Sequence, residues 1–242
     1  MTHSAKVALV TGGARRIGRV LALALARHGY SVALTYRSSQ SDAEKTAEEI
    51  VALGQPALPL NCDVRAEDSV RAAMAAIQKK FGQLDLLVNN AAVYQTARLD
   101  ELSLEAWDEV FATNARGPFL VSREALPLLR ASSGRIVNIG SLGGIKPWAT
   151  HAHYCASKAA LHMLTQAMAK GFAPEVSVNC VAPGFVDVDE REAGLLDHFA
   201  QKTPMRRNAL PEEIAAAVLF FATGPKFITG QTLAVDGGLS LG

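Results

Sequence analysis

Short β-branched runs alternate with longer segments of helical period along the whole chain, and that alternation constrains the fold more than any other feature. Val7–Val10, Val32–Leu34, Leu84–Val88, Arg135–Ile139, Val176–Val181 and Leu233–Val235 read as buried strands, and Ala57–Leu60 as a weaker one. Between the first two, Ile17, Val20, Leu21, Ala24 and Leu25 recur at i, i+3, i+4, i+7 and i+8. That stripe is one face of a helix, and Gly29 marks its end. The same pattern predicts helices near Asp42–Leu53, Glu67–Phe81, Pro118–Arg130, Tyr154–Lys170 and Glu212–Phe221. Pro211 and the two glutamates after it suit a helix's first turn. Strands alternating with helices imply an α/β fold: a doubly wound parallel sheet of about seven strands with helices on both faces. No internal repeat or composition shift divides the 242 residues, so residues 1–242 are expected to form one domain. The stretch from Phe185 to Leu210, with an amphipathic piece at Leu195, Leu196 and Phe199, breaks the rhythm. It reads as a lid over a binding site, with an ordinary surface excursion as the alternative.

Twenty-four basic and 23 acidic side chains leave a net charge of +1, without the basic excess that nucleic-acid binding needs. The apolar stretch Ala215–Ala222 is well short of a membrane span, and Val7–Val10 is too short for a signal sequence. Cys62, Cys155 and Cys180 share no metal-ligand spacing and read as reduced structural thiols. The expectation is a soluble, cytoplasmic protein that acts on a small molecule, without metal, nucleic acid or membrane.

The first strand runs into Thr11-Gly-Gly-Ala-Arg-Arg-Ile-Gly18, which then becomes a helix. Glycines permit a tight turn and close backbone approach, while a helix N-terminus presents free N–H groups to a pyrophosphate. The turn resembles that of the short-chain dehydrogenase/reductase family, with Arg16 in place of the middle glycine. That replacement is similar to the pteridine reductases and their bacterial relatives. The resemblance implies a Rossmann domain whose cofactor phosphates lie near Gly12, Arg15, Arg16, Ile17 and Gly18. In NAD-specific versions an acid ends the second strand and holds the ribose hydroxyls. Here that strand ends Leu34-Thr-Tyr-Arg-Ser38, so Tyr36, Arg37 and Ser38 point instead to the 2′-phosphate of NADP, with Arg15 as a second cation. The alternative reading of both arginines is a solvated surface charge. Asp63 and Val64 resemble the pair that contacts adenine, although an aspartate capping a turn reads equally well from the residues. Asn90 and Ala91, within Asn89-Asn-Ala-Ala92, resemble the family's Asn-Asn-Ala-Gly.

Tyr154 and Lys158 stand at i and i+4 in a segment of helical period, on one helix face. A phenol titrates near 10, so a neighbouring ammonium is expected to lower it into a useful range. Ser141 lies thirteen residues before Tyr154, just after the fifth strand, a spacing that matches the family. The resemblance implies that Ser141 orients a substrate carbonyl, that Lys158 also binds the nicotinamide ribose, and that Asn114 holds a water-linked proton path. It further implies cofactor contacts from Pro183, Gly184 and Val186, substrate contacts from Tyr94 and Phe185, and a homotetramer built through Ile228–Gly238. Val188 replaces a threonine common in relatives. His151 and His153 read as exposed loop histidines, and Asp187, Asp189 and Glu190 as the solvated start of the lid. The implied activity is NADPH-dependent reduction of a carbonyl, of the 3-oxoacyl or small-ketone type, with Tyr154 as general acid. The alternative is a pteridine or dihydrofolate reductase, favoured by Arg16 and Tyr94 and disfavoured by Ser141. A non-catalytic NADP-sensing protein is a third reading.

Overall fold

Val7–Val10 (β1) is four apolar residues, all buried. Such a strand needs cover on both faces, which a sheet receives only between two layers of helices. The computed structural model, which describes residues 6–188 and 193–241, provides that cover. The other strands are Ser31–Tyr36 (β2), Ala57–Asn61 (β3), Leu86–Asn89 (β4), Arg135–Ile139 (β5), Ser177–Pro183 (β6) and Thr232–Val235 (β7). They form one sheet in the order β3-β2-β1-β4-β5-β6-β7, with every pairing parallel. The chain walks outward from β1 to β3, then returns to β4 on the other side. The carboxyl ends of β1 and β4 therefore splay around a crevice, the usual ligand position in such sheets.

Helices Arg16–Arg27 (α1), Gln40–Ala52 (α2), Glu67–Phe81 (α3), Leu104–Phe111 (α4), Gly117–Ser132 (α5), Ala152–Phe172 (α6), Ala193–Lys202 (α7) and Pro211–Thr223 (α8) complete the fold. Alternate residues of β1 feed two separate cores. Ala8 and Val10 pack with Leu21 and Leu25 of α1 and Ile214 and Val218 of α8. Val7 and Leu9 pack with Ile77 of α3, Leu129 of α5 and Met168 of α6. At about 1.5–3 kcal/mol for each large apolar side chain removed from water, these two layers hold the sheet between its helices.

The predicted strands and helices are all present, with boundaries shifted by a few residues. Edge strand β3 is only half-buried and contains Pro59, which an edge tolerates because no partner needs its missing N–H. One helix was not anticipated. The Ser103 hydroxyl accepts the Ala106 N–H at 3.2 Å and starts α4, whose eight residues are too few to show a period. A π-helical turn, Ala112–Arg116, then joins α4 to α5.

The expected excursion after β6 begins with Val186, which forms an isolated parallel bridge to Ala209, and it carries α7. Asp189 and Glu190 lie outside the described residues, and Asp187 is exposed. The two histidines correct the sequence reading. Helix α6 starts at Ala152, before the tyrosine, and turns His153 fully inward, where neither ring nitrogen has a hydrogen-bond partner. His151 is half-buried rather than exposed. Among the described residues no helix is long and apolar enough to cross a membrane.

Candidate active site

Loops at the carboxyl ends of β1, β2, β3 and β4 enclose a cleft of about 390 Å³. Its β1 side is the glycine turn. Gly12 takes φ +63°, and a Cβ there would come 3.1 Å from the Ala91 Cα. A Cβ on Gly18 would stand 2.1 Å from the Gly12 carbonyl oxygen, so helix and turn can meet only at a glycine. The turn is laced to its neighbours. The Gly12 N–H donates to Thr35 Oγ1 (3.1 Å), and Asn90 Nδ2 donates to the carbonyls of Thr11 (2.9 Å) and Gly12 (3.1 Å). Thr11 Oγ1 in turn accepts the backbone N–H groups of Asn90 (2.9 Å) and Ala91 (3.1 Å). Asn90 therefore shapes the turn with its side-chain amide. Helix α1 has no side-chain cap and no acid in its first turn. Its free N–H groups and the positive end of its dipole make an anion site beside Ile17 and Gly18. Arg16 sits at φ +52°, a left-handed conformation that costs a non-glycine residue about 1–2 kcal/mol.

Arg15, Arg16, Arg37 and Arg65 line the cleft against one acid, Asp63. That acid is already neutralised: its carboxylate pairs with Arg65 at 2.7 Å, which holds it below the usual carboxylate range. Val64 lies beside it, and Tyr36 and Ser38 flank Arg37 on the wall. A positive cleft with an uncapped helix N-terminus and a glycine cradle fits a phosphate-rich dinucleotide.

Tyr94 closes this cleft and leads to a second group of residues, its ring edge-on to Tyr154 at 5.0 Å between centroids. Ser141 follows β5 directly, and α6 carries Tyr154 and Lys158 one turn apart. Ser141 Oγ accepts the Gly143 N–H at 3.0 Å and lies near enough to the Tyr154 hydroxyl to pull its pKa down. Lys158 is 3% exposed; its Nζ donates to the Ile139 carbonyl at 2.8 Å and lies 5.8 Å from the centre of the Tyr154 ring.

The titration of the pair departs from the expectation. Burial pushes the Tyr154 phenol up to about 12, opposed by the Ser141 hydroxyl beside it. Burial also drives Lys158 down to about 8. Burial favours the neutral form of each group. The phenol consequently keeps its proton throughout the neutral range.

Asn114 sits fully buried in the π-helical turn. Its Oδ1 accepts the Val93 N–H (2.8 Å), while Nδ2 donates to the Val93 carbonyl (2.9 Å) and to Ser157 Oγ (3.1 Å). Ser157 Oγ donates onward to the Tyr154 carbonyl at 2.8 Å. The side chain thus ties the loop after β4 to the helix that carries the tyrosine.

The remaining predicted residues lie farther along. Pro183 ends β6, and the Gly184 N–H donates to the Val235 carbonyl at 3.0 Å. A Cβ on Gly184 would meet Asp236 at 2.9 Å. These two and the bridged Val186 are not on the wall of the cleft, which Val188 does reach. Phe185 stacks on Phe199 at 3.4 Å and leans on Trp148 at 5.3 Å, while Tyr94 stacks on His151 at 4.8 Å. Thr11, Thr35 and His162 were missed by the sequence reading. The two threonines could have been found as hydroxyls bracketing a glycine turn; nothing local marks His162.

A family model described as enoyl-(acyl carrier protein) reductase matches residues 12–240. The 3-oxoacyl-[acyl-carrier-protein] reductase of Synechocystis sp. is 39% identical over 240 residues, covering 98% of this chain and 97% of the relative. Carbonyl reductase family member 4 of Danio rerio is 39% identical over 238 residues, covering 98% of each. A solved short-chain dehydrogenase/reductase mutant from Serratia marcescens superposes with a TM-score of 0.92 at 37% identity, covering 97% of this chain and 98% of that one.

Proposed function

The chain belongs to the short-chain dehydrogenase/reductase family of nicotinamide-dependent oxidoreductases, and on that premise we propose that it is an NADPH-dependent reductase of a carbonyl, of the 3-oxoacyl or small-ketone type. The observation that carries the reading is the half-buried Tyr154, protonated at neutral pH and beside Ser141, with Lys158 behind it and an arginine-rimmed cleft alongside. The names of the two relatives support a carbonyl as the group reduced.

When bound, the dihydronicotinamide supplies the hydride. Tyr154 delivers its proton to the carbonyl oxygen, and Ser141 holds that oxygen in line with the phenol. Lys158 stabilises the phenolate that remains and, as in the family, reaches the nicotinamide ribose. A correctly placed general acid of this kind contributes about 10²–10⁴-fold. Asn114 aligns the site by fastening Val93 to α6, and its family role in proton supply falls to it here as well.

Arg37 and Arg15 select the 2′-phosphate, since residues 34–38 contain no acid to hold ribose hydroxyls. Gly12, Arg16, Ile17 and Gly18 receive the pyrophosphate, and Tyr36, Ser38, Asp63, Val64, Asn90 and Ala91 complete the adenosine end. Pro183, Gly184 and Val186 border the nicotinamide end. Residues 185–210 act as the lid, with Phe185 as an apolar wall and Tyr94 opposite. Assembly is a homotetramer through the C-terminal segment, where Phe227 is wholly exposed and Leu241 is 88% exposed. The cytoplasm, where three buried unpaired thiols stay reduced, is the compartment that suits it.

Loss of NADPH absorbance with a 3-oxoacyl thioester, simple ketones, dihydrobiopterin and dihydrofolate tests the reading. Wild type should turn over a carbonyl substrate, and Tyr154→Phe should lose about 10²–10⁴-fold in kcat while still binding NADPH. Full activity in Tyr154→Phe, or turnover of the pterins alone, would overturn it.

A further inference from the structure

Ser141 is held from two sides, and only one has been accounted for. Its hydroxyl faces Tyr154, while its backbone N–H points the other way, 3.4 Å from Nε2 of His162 on α6. His162 is 9% exposed and stands one turn beyond Lys158. The loop Gly140-Ser-Leu-Gly-Gly144 folds over its ring. A Cβ on Gly140 would fall 2.3 Å from His162 Nε2, and one on Gly144 would fall 2.6 Å from its Cε1. Both distances are closer than real Cβ atoms come, so the imidazole fills the space that these two glycines leave empty.

We infer that His162 is a positioning residue for Ser141: its ring is a wedge that sets the height of the loop after β5, and its Nε2 aligns the Ser141 amide. The inference rests on the proposed role of Ser141 and Tyr154. At 3.4 Å the hydrogen bond is long, so the wedge supplies most of the placement and the nitrogen the final alignment. Acceptance at Nε2 requires a neutral ring with its proton on Nδ1. Burial and the Lys158 ammonium keep the ring neutral, with its pKa pushed down to about 4. Cys180 Sγ reaches the same spot above Gly140, where a Cβ would meet it at 2.7 Å. The ring therefore has packed neighbours on the β6 side and no room to swing away.

Three substitutions separate volume from alignment. His162→Gln keeps an acceptor near the Nε2 position and should hold kcat within about threefold of wild type. His162→Met keeps the volume without a strong acceptor and should lower kcat about five- to tenfold, the usual worth of one hydrogen bond. His162→Ala removes the wedge and should lower kcat about 10²-fold, as an ångström-scale misplacement does. NADPH affinity and substrate KM should move less than threefold in all of them. Gly140→Ala should be nearly inactive, and Gly140→Ala combined with His162→Ala should be more active than Gly140→Ala alone, because the ring contacts at 2.3 and 2.8 Å are then gone and only the Cys180 thiol, at 2.7 Å, has to give way.

Equal kcat in the Gln and Met variants, or a double variant no better than Gly140→Ala, would overturn the inference. Should the Ala variant fail to fold, the Gln–Met comparison decides alone. Tyr154→Phe, run alongside, keeps the two claims apart. An inactive Tyr154→Phe beside unaffected His162 variants sinks only this inference, whereas an active Tyr154→Phe sinks the reading of the site itself.

Discussion

Arg37 and Lys158 are both cations of the same site, yet Arg37 is exposed at the cleft rim and Lys158 is 3% exposed beneath Tyr154. A solvated guanidinium costs the fold almost nothing and stays charged while it waits for an anion. A buried ammonium is disfavoured by its surroundings, and the same surroundings keep Tyr154 protonated. On the proposed function, the dinucleotide end would rely on permanent charge in water, and the chemical end on groups that their surroundings hold near neutrality. Binding and proton transfer are separable as a result, and each should respond to a different kind of substitution.

The largest effect is expected at the buried end. Lys158→Met should cost about 10²-fold or more in kcat, measured at saturating NADPH. Stability sharpens the contrast. The folded value of Lys158, about 8, lies below its ordinary 10.5. Between those values the unfolded chain holds the proton and the folded chain does not, so stability should rise with pH across that window. Urea midpoints taken from pH 8 to 10.5 should show wild type gaining on Lys158→Met; a constant gap would mean that the folded protein keeps the amine charged across that range.

A smaller effect belongs to the exposed end. Arg37→Asp should raise the KM for NADPH about 10–10²-fold, the worth of one charge-assisted bond, and leave kcat at saturation unchanged. A matching fall in kcat would show that the two ends are coupled after all. The smallest effect tests strain in the turn between them. Arg16→Gly should relieve the φ of +52° and stabilise the protein by up to about 1 kcal/mol, or about 2–4 °C in Tm. A lower Tm would mean that the arginine's contacts outweigh its backbone cost.

The same contrast explains what was legible in the sequence. Strands buried on both faces leave continuous apolar runs, so β1 and β4–β6 and their parallel arrangement could be read directly. The glycine turn and the Tyr154–Lys158 spacing are local, and local geometry carries them into place. The titration of that pair was not legible, because spacing brings an ammonium near a phenol but says nothing of how much protein surrounds both. His153 was misjudged because the first turn of α6 begins before the tyrosine and faces it inward. His162 has no local signature at all. Its place under Ser141 exists only once the loop after β5 has folded across α6.

The π-helical turn at Ala112–Arg116 has a consequence for how the family's chain length can drift. It holds one residue more per turn than the helices on either side, and Asn114 reaches Val93 from within it. Deleting one of those five residues would let ordinary α-helical winding run through from α4 to α5 with the two helices keeping nearly the same faces, because the wide turn is one extra residue taken up in place. The cores on either side would tolerate such a deletion, and what would be lost is the bulge that carries Asn114 to Val93 and Ser157.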